Sequence, residues 1–170
     1  MTGGSNQHMS MICEISAIPD EVAQEVLSQP GRIQELLDSL DREGKLLSIE
    51  KSWHGLHFIL TGTAGEGSAP LNFIAAGGET VGDEDVGYGP ARVLRADKVK
   101  EFDAALSAIS AEEFDQKFDL DALNEASIYP RIWDEPREEL LEEYGMYFEQ
   151  LRDLVKQAAH DNHAFIIAIR

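Results

Sequence analysis

The spacing of apolar residues along the chain predicts a protein built mainly of helices. Across residues 32–41, apolar side chains recur at positions i, i+3, i+4 and i+7, the pattern of one buried helical face. The same period predicts helices over 20–29, 97–110 and 136–156, and the last of these has a broad apolar face with several aromatic residues. Helices therefore outweigh strands in this chain.

Local signals predict two shorter helices between the longer ones. Ser110 followed three residues later by Glu113 is typical of a capping box, so a helix is expected to begin there. Residues 119–130 contain another short helical stretch, which we expect to end before Pro130.

Two apolar runs near the ends of the chain predict strands. Residues 11–18 mix alternating and continuous apolar positions, and residues 164–169 form the continuous apolar run of a buried central strand. Residues 91–94 are a third, short candidate. We therefore predict an α+β fold: a helix-rich single domain with a small mixed β-sheet that includes the N- and C-terminal strands.

The chain length and the opening residues suggest how the domain is bounded. A chain of 170 residues without internal repeats or linkers fits one domain, which we place at residues 9–170. Residues 1–8 are polar, and the His8-Met9 step matches a common cloning junction. We expect this stretch to be a leader left by cloning or a short disordered tail.

The charge of the chain restricts its partners. The formal net charge is −18, and residues 101–150 carry 15 acidic residues against three basic ones. Unaided binding to nucleic acid or to an anionic membrane is excluded, because both depend on attraction between basic residues and phosphate. The acidic half instead favours a basic partner, although a solvated helical surface would have the same composition.

Side chains that could take part in catalysis or binding are concentrated in two segments, residues 51–62 and 77–92. The first is predicted to be a helix that ends at Gly62, and the second is a glycine-rich loop. Cys13 is the only cysteine, which excludes an internal disulfide and is consistent with a cytoplasmic location. Its apolar neighbours predict a buried thiol rather than a nucleophile.

Five stretches together resemble a known family. They are MICEI (11–15), WHGLHFILTG (53–62), GYGPAR (87–92), EASIYPRIW (125–133) and NHAFIIAI (162–169). In these stretches the chain resembles the YfbM-like family of small bacterial proteins, which is classed as a domain of unknown function. The resemblance covers residues 9–170 and implies a compact single domain that combines helices with a small sheet. It implies no reaction and no catalytic residue.

The histidines of the first segment do not define a metal site. His54 and His57 lie three residues apart, as two ligands on one side of a helix would, but a third and a fourth ligand are not evident. We predict no metal and no cofactor. His57 shares a helical face with Trp53 and Leu60, which favours a histidine at the edge of the core, whereas His54 lies off that face and is expected to be more accessible.

The glycine-rich loop is not a nucleotide-binding loop. Arg92 stands where a dinucleotide fingerprint requires glycine, and the acidic residues Asp83 and Asp85 would repel a phosphate. We expect an ordered loop in which Arg92 pairs with a carboxylate. In a functional version of this loop, Tyr88 and Arg92 would hold a ligand or partner against Trp53 and His54.

Three hypotheses for function remain open at this point. The first is a non-enzymatic module that binds a protein or a ligand, for example one that neutralises a basic toxin. The second is a small enzyme with a general base at His54 or His57, an anion-binding Arg92 and an orienting carboxylate from Asp83 or Asp85. The third is self-association through the aromatic helix at 136–156.

Overall fold

A five-stranded sheet separates two groups of helices. The computed structural model of the protein describes residues 10–170, so the predicted leader or tail at residues 1–8 lies outside the described residues. The strands are β1 (Cys13–Pro19), β2 (Leu47–Ser48), β3 (Glu79–Thr80), β4 (Arg92–Leu94) and β5 (His163–Ile169). Their order across the sheet is β2-β1-β5-β4-β3.

Seven α-helices connect the strands within the described part of the chain. They are α1 (Asp20–Ser28), α2 (Ile33–Arg42), α3 (Trp53–Thr61), α4 (Ala96–Ser107), α5 (Ala111–Lys117), α6 (Leu120–Glu125) and α7 (Arg137–His160). Short 3₁₀ turns precede α2 at Pro30–Arg32 and α3 at Glu50–Ser52. The predicted capping box is present, because Ser110 Oγ accepts from the Glu113 amide and the Glu113 carboxylate accepts from the Ser110 amide.

The centre of the sheet is a long antiparallel pair between β1 and β5. The pairing runs from Cys13 opposite Ile169 to Pro19 opposite His163. The predicted α+β fold, with both terminal strands in one sheet, is therefore confirmed. All four pairings between the described strands are antiparallel. The prediction of a mixed sheet is therefore wrong.

Each face of the sheet is covered by its own helices, and this explains the continuous apolar run of β5. Phe165 and Ile167 pack into the larger core formed with α3 to α7. Ala164, Ile166 and Ala168 face the opposite way, into a smaller core formed with α1 and α2. A strand that is buried on both faces has no position for a polar side chain.

No helix in the described residues is long and apolar enough to cross a membrane.

Candidate functional site

The segment at residues 51–62 forms the 3₁₀ turn and helix α3, which packs directly against α7. Gly55 allows this close contact, because a Cβ atom at this position would lie 2.6 Å from Cε2 of Tyr144 and 3.0 Å from Trp133. Gly62 ends the helix in the left-handed conformation at φ 79°. The predicted helix is thus present, and its position depends on a glycine in its first turn.

Trp53 and His54 form an aromatic cluster with Tyr129. The Trp53 and His54 rings are stacked with centroids 5.2 Å apart, and the Tyr129 ring lies 6.1 Å from Trp53. The Trp53 indole donates to the Met11 carbonyl at 2.8 Å, and the Met11 amide donates to the Tyr129 hydroxyl at 3.0 Å. The cluster therefore fastens the residues before β1 to the segment between α6 and α7.

Both ring nitrogens of His54 have partners. The Tyr129 amide donates to Nδ1 at 3.1 Å, so Nδ1 is unprotonated, and Nε2 lies 3.3 Å from the Ala64 carbonyl. This arrangement fits the neutral tautomer with its proton on Nε2. A general base at His54 would first have to give up the bond from Tyr129.

His57 is completely buried, deeper than a residue at the edge of the core. Its Nε2 lies 2.6 Å from the Gly65 carbonyl, to which it donates, while Nδ1 has no hydrogen-bond partner among the described residues. Burial lowers the pKa of His57, and the bond to Gly65 only partly offsets this effect. The imidazole is therefore neutral, and it holds the loop after α3 in place.

Arg92 is bound by backbone carbonyls, not by the carboxylate that the sequence analysis expected. Its guanidinium donates to the carbonyls of four residues in the turn before the glycine-rich loop, at 2.6 to 3.0 Å. These four residues are Phe73, Ile74, Ala76 and Gly77. Burial lowers the pKa of Arg92, yet an arginine keeps its charge in proteins. The carbonyl dipoles take the place of a counter-ion.

The acidic residues of the glycine-rich loop differ in their roles. The Asp85 carboxylate accepts from the amides of Gly87 and Gly89 at 2.8 and 3.0 Å, which closes the loop on itself. Asp83 is exposed. Next to this turn, Tyr88 is 37% exposed, and its amide donates to the Ile169 carbonyl at 2.9 Å.

The predicted site residues contact different parts of the fold. Trp53 and His54 contact Tyr129, and the rings of His54 and His57 lie against the adjacent carbonyls of Ala64 and Gly65. Arg92 binds the carbonyls of residues 73–77. Tyr88 lies at the end of β5. An open cleft beside the start of α3 is lined by residues of 50–52, 130–132 and α7, and residues 77–92 take no part in it.

The described residues offer little for metal or thiol chemistry. No group of three or more His, Cys, Asp or Glu side chains in this part of the chain could hold a metal ion. Cys13 is fully buried in β1, as its neighbours predict, and burial raises the pKa of its thiol to about 12. The thiol is therefore protonated at neutral pH.

A surface groove between α5 and α7 was not predicted from the sequence. Its apolar part contains Phe114 of α5 together with Leu141, Met146 and Phe148 of α7. Charged side chains line it as well, namely the carboxylates of Asp115, Glu142 and Glu149 and the guanidinium of Arg152. We call this feature the α5–α7 groove. The apolar face of α7 is visible in the sequence, but the groove depends on where α5 packs.

Comparison with known proteins identifies the family of the chain. The family described as "Domain of unknown function (DUF1877)" matches residues 9–168. The chain belongs to this family.

A solved structure supports the same fold. The crystal structure of YfbM from Escherichia coli, a protein of unknown function, has a TM-score of 0.72 and 24% sequence identity. The match covers 94% of this chain and 100% of that one. A comparison with curated proteins gave no match. The family match and the likeness to this structure together confirm the resemblance to YfbM-like proteins and the fold, and they leave the activity open.

Proposed function

We propose that this DUF1877 protein is a non-enzymatic binding module that recognises a basic protein partner. The observation that carries the proposal is the concentration of negative charge in residues 101–150, which contribute −12 of the formal net charge of −18. Charge of one sign on one part of a surface attracts a partner of the opposite sign and raises its rate of association.

The acidic side chains of this half are available to a partner. Within the described residues, three of its fifteen carboxylates form ion pairs: Glu101 with Lys98, Asp115 with Arg137, and Glu149 with Arg152. The others lack a basic side chain within the ion-pair distance, and nearly all are exposed. Neutralisation by a partner would also relieve their mutual repulsion.

The binding module acts as a single domain in the cytoplasm and covers the surface of its partner. Residues 9–170 function as one domain in the cytoplasm, where a protein with a single buried cysteine needs no disulfide. Binding covers the basic surface of the partner, and neutralisation of a basic toxin is one role that such coverage would serve.

An enzyme built on His54 or His57, Arg92 and Asp83 or Asp85 has less support. The hydrogen bonds of His54, the burial of His57 and the four carbonyls around Arg92 all use these side chains within the chain itself. Catalysis would require several of these contacts to break.

Affinity capture at two salt concentrations tests the proposal. The immobilised protein is exposed to lysate at 50 mM and at 500 mM NaCl, and the captured protein is identified, purified and titrated against it. We expect a partner with a high isoelectric point whose affinity falls by at least about tenfold between the two conditions. The triple variant Glu138→Lys, Glu139→Lys, Glu142→Lys should not bind it.

A second triple variant distinguishes the effect of charge on α7 from the effect of the net charge of the whole protein. Glu21→Lys, Asp38→Lys, Asp41→Lys changes the net charge by the same amount on α1 and α2, and it should retain most of the binding. If no purified partner binds more tightly at low salt, or if both triple variants bind like the wild type, recognition of a basic partner is wrong.

A further inference from the structure

The α5–α7 groove combines a buried aromatic floor with one exposed apolar side chain. Its floor is the stacked pair of Phe114 and Phe148, whose ring centroids are 4.6 Å apart, and both residues are nearly fully buried. Met146 stands over this floor with 47% of its surface exposed, more than any other large hydrophobic residue in the described chain. Leu141 adds a partly buried side chain to the lining of the groove. An exposed methionine beside aromatic residues is typical of a surface that adapts to a partner.

Gly145 lines the same groove, and neither the packing nor the backbone conformation of the described residues requires glycine there. It lies in the interior of α7, a helix of 24 residues, and there a glycine costs about 1 kcal/mol relative to alanine. A Cβ atom at Gly145 would have no other atom within 4 Å. Its backbone has no positive φ that would require glycine.

Gly55 in α3 is the opposite case. There a Cβ atom would collide with the Tyr144 ring, so the packing of the folded chain explains the glycine. At Gly145 the space above the backbone is open, and it is the space of the groove. A glycine at this position allows another backbone to come close to α7.

The shape and charge of the groove indicate what fills this space. The residues of α7 that line it run from Leu141 to Arg152, a length of about 17 Å or three helical turns. Two packed helices form a groove that accepts a third helix at an axial distance of about 8–10 Å. Glu142 lines the groove without a basic side chain in ion-pair distance among the described residues, whereas Asp115 pairs with Arg137 and Glu149 pairs with Arg152, which also lines the groove. The groove lies in the half of the chain that carries −12 of the net charge, so lysine or arginine beside the apolar face of the third helix would be attracted.

A second copy of this chain is a poor occupant. Each copy carries a net charge of −18, and the carboxylates of the two grooves would face one another. Like charges brought together in an interface oppose association. The charge therefore favours a different protein over self-association through α7.

We propose that the α5–α7 groove is the docking site for a basic amphipathic helix of the partner, with its backbone closest to Gly145. This inference rests on the proposed function and adds the place and the form of the contact. The apolar face of the helix covers Leu141 and Met146 beside the buried Phe114–Phe148 pair, and one of its basic residues pairs with Glu142.

A designed peptide pair serves as the probe. One labelled peptide of about 18 residues places leucine on one helical face and lysine on the other. The second has the same composition in an order without an apolar face. We expect the first peptide to bind more tightly than the second at 50 mM NaCl, with amide hydrogen exchange slowed in residues 111–117 and 141–152.

Substitution at Gly145 tests the position. Gly145→Leu should weaken binding of the amphipathic peptide by at least about tenfold while the protein stays folded, because leucine fills the groove and favours the helix. Gly31→Leu is the matched control, since a Cβ atom at Gly31 also meets nothing within 4 Å. It should bind like the wild type.

The remaining outcomes separate this inference from the proposed function. Equal binding to Gly145→Leu and the wild type, with loss of binding in the double variant Glu138→Lys, Glu139→Lys outside the groove, would rule out docking in the groove and leave recognition of a basic partner intact. Failure of both peptides to bind at 50 mM NaCl would count against both. A dimer that dissociates in Gly145→Leu would show that a second copy fills the groove, and it would overturn the peptide assignment.

Discussion

Arg92 shows how one side chain can organise a segment without regular structure. Its guanidinium donates hydrogen bonds to backbone carbonyls between Phe73 and Gly77. The backbone of this turn makes too few hydrogen bonds to satisfy these carbonyls without Arg92. The sequence predicts a carboxylate partner for Arg92. The actual partners are carbonyls of residues distant in the chain, and no local pattern reveals them.

Replacement of Arg92 by alanine should destabilise the protein. Loss of four hydrogen bonds leaves partly buried carbonyls unsatisfied, and we expect a cost of about 3 kcal/mol, or roughly 6–12 °C in melting temperature. Arg92→Lys should recover part of this loss, because an ammonium group donates three bonds. Thermal unfolding measures both, with the exposed Arg42→Ala as a control that changes little. An unchanged melting temperature with lost partner binding would instead make Arg92 a binding residue.

His57 should make stability depend on pH. Burial lowers its pKa below the ordinary value of 6.5, so the unfolded chain takes up a proton at this residue before the folded chain does. Stability is therefore complete above about pH 6.5 and falls as the pH decreases toward the pKa of the folded state, by at most about 1.4 kcal/mol per pH unit.

The variant His57→Gln isolates this effect. Urea unfolding between pH 7.5 and pH 5 should show a shallower loss of stability for His57→Gln than for the wild type. His160→Gln is the control, because its side chain is 82% exposed. If wild type and His57→Gln lost the same stability over this range, protonation of His57 would not contribute to acid sensitivity.

At the scale of elements, the predictable parts are those with a long and regular pattern. The helical period marks α2 and α7 because each presents one apolar face, and the unbroken apolar run of β5 reflects cover on both sides. The edge strands β2 and β3 escape prediction, since each has two residues and exists only through pairing with a neighbour. The α5–α7 groove escapes for the same reason: it belongs to two elements together.

The contact between α3 and α7 should be sensitive to a single methyl group. Gly55→Ala places a Cβ atom against the packed Tyr144 ring, so the helices must separate, and we expect a loss of about 2 kcal/mol. Gly31→Ala, on the other side of the sheet, should have little effect. Denaturant unfolding compares the two variants, and equal stability would mean that α3 can shift without cost.

At the scale of the whole molecule, the net charge of −18 should weaken the folded state at low salt. An increase in NaCl from 10 mM to 150 mM shortens the screening length from about 30 Å to about 8 Å and reduces repulsion among the carboxylates. We expect the melting temperature to rise by about 3–5 °C over this range.

Replacement of carboxylates by amides should reduce the rise of the melting temperature with salt, and the reduction should be larger in the acidic half of the chain. Glu138→Gln with Glu139→Gln lies in the acidic half and should lessen the rise more than Glu21→Gln with Asp38→Gln on α1 and α2. A melting temperature that does not respond to salt in any of these proteins would show that repulsion is already balanced in the folded state.

The place of β5 between β1 and β4 has a consequence for synthesis on the ribosome. Within the sheet, the pairs β1–β2 and β3–β4 are connected by pairing with β5, which follows the other described strands in chain order. Until residues 163–169 emerge, we expect β1 and β4 to lack the strand that pairs with both of them, which leaves their facing edges open to wrong pairing. Pairing of β5 with both β1 and β4 is therefore expected to complete the sheet late in synthesis.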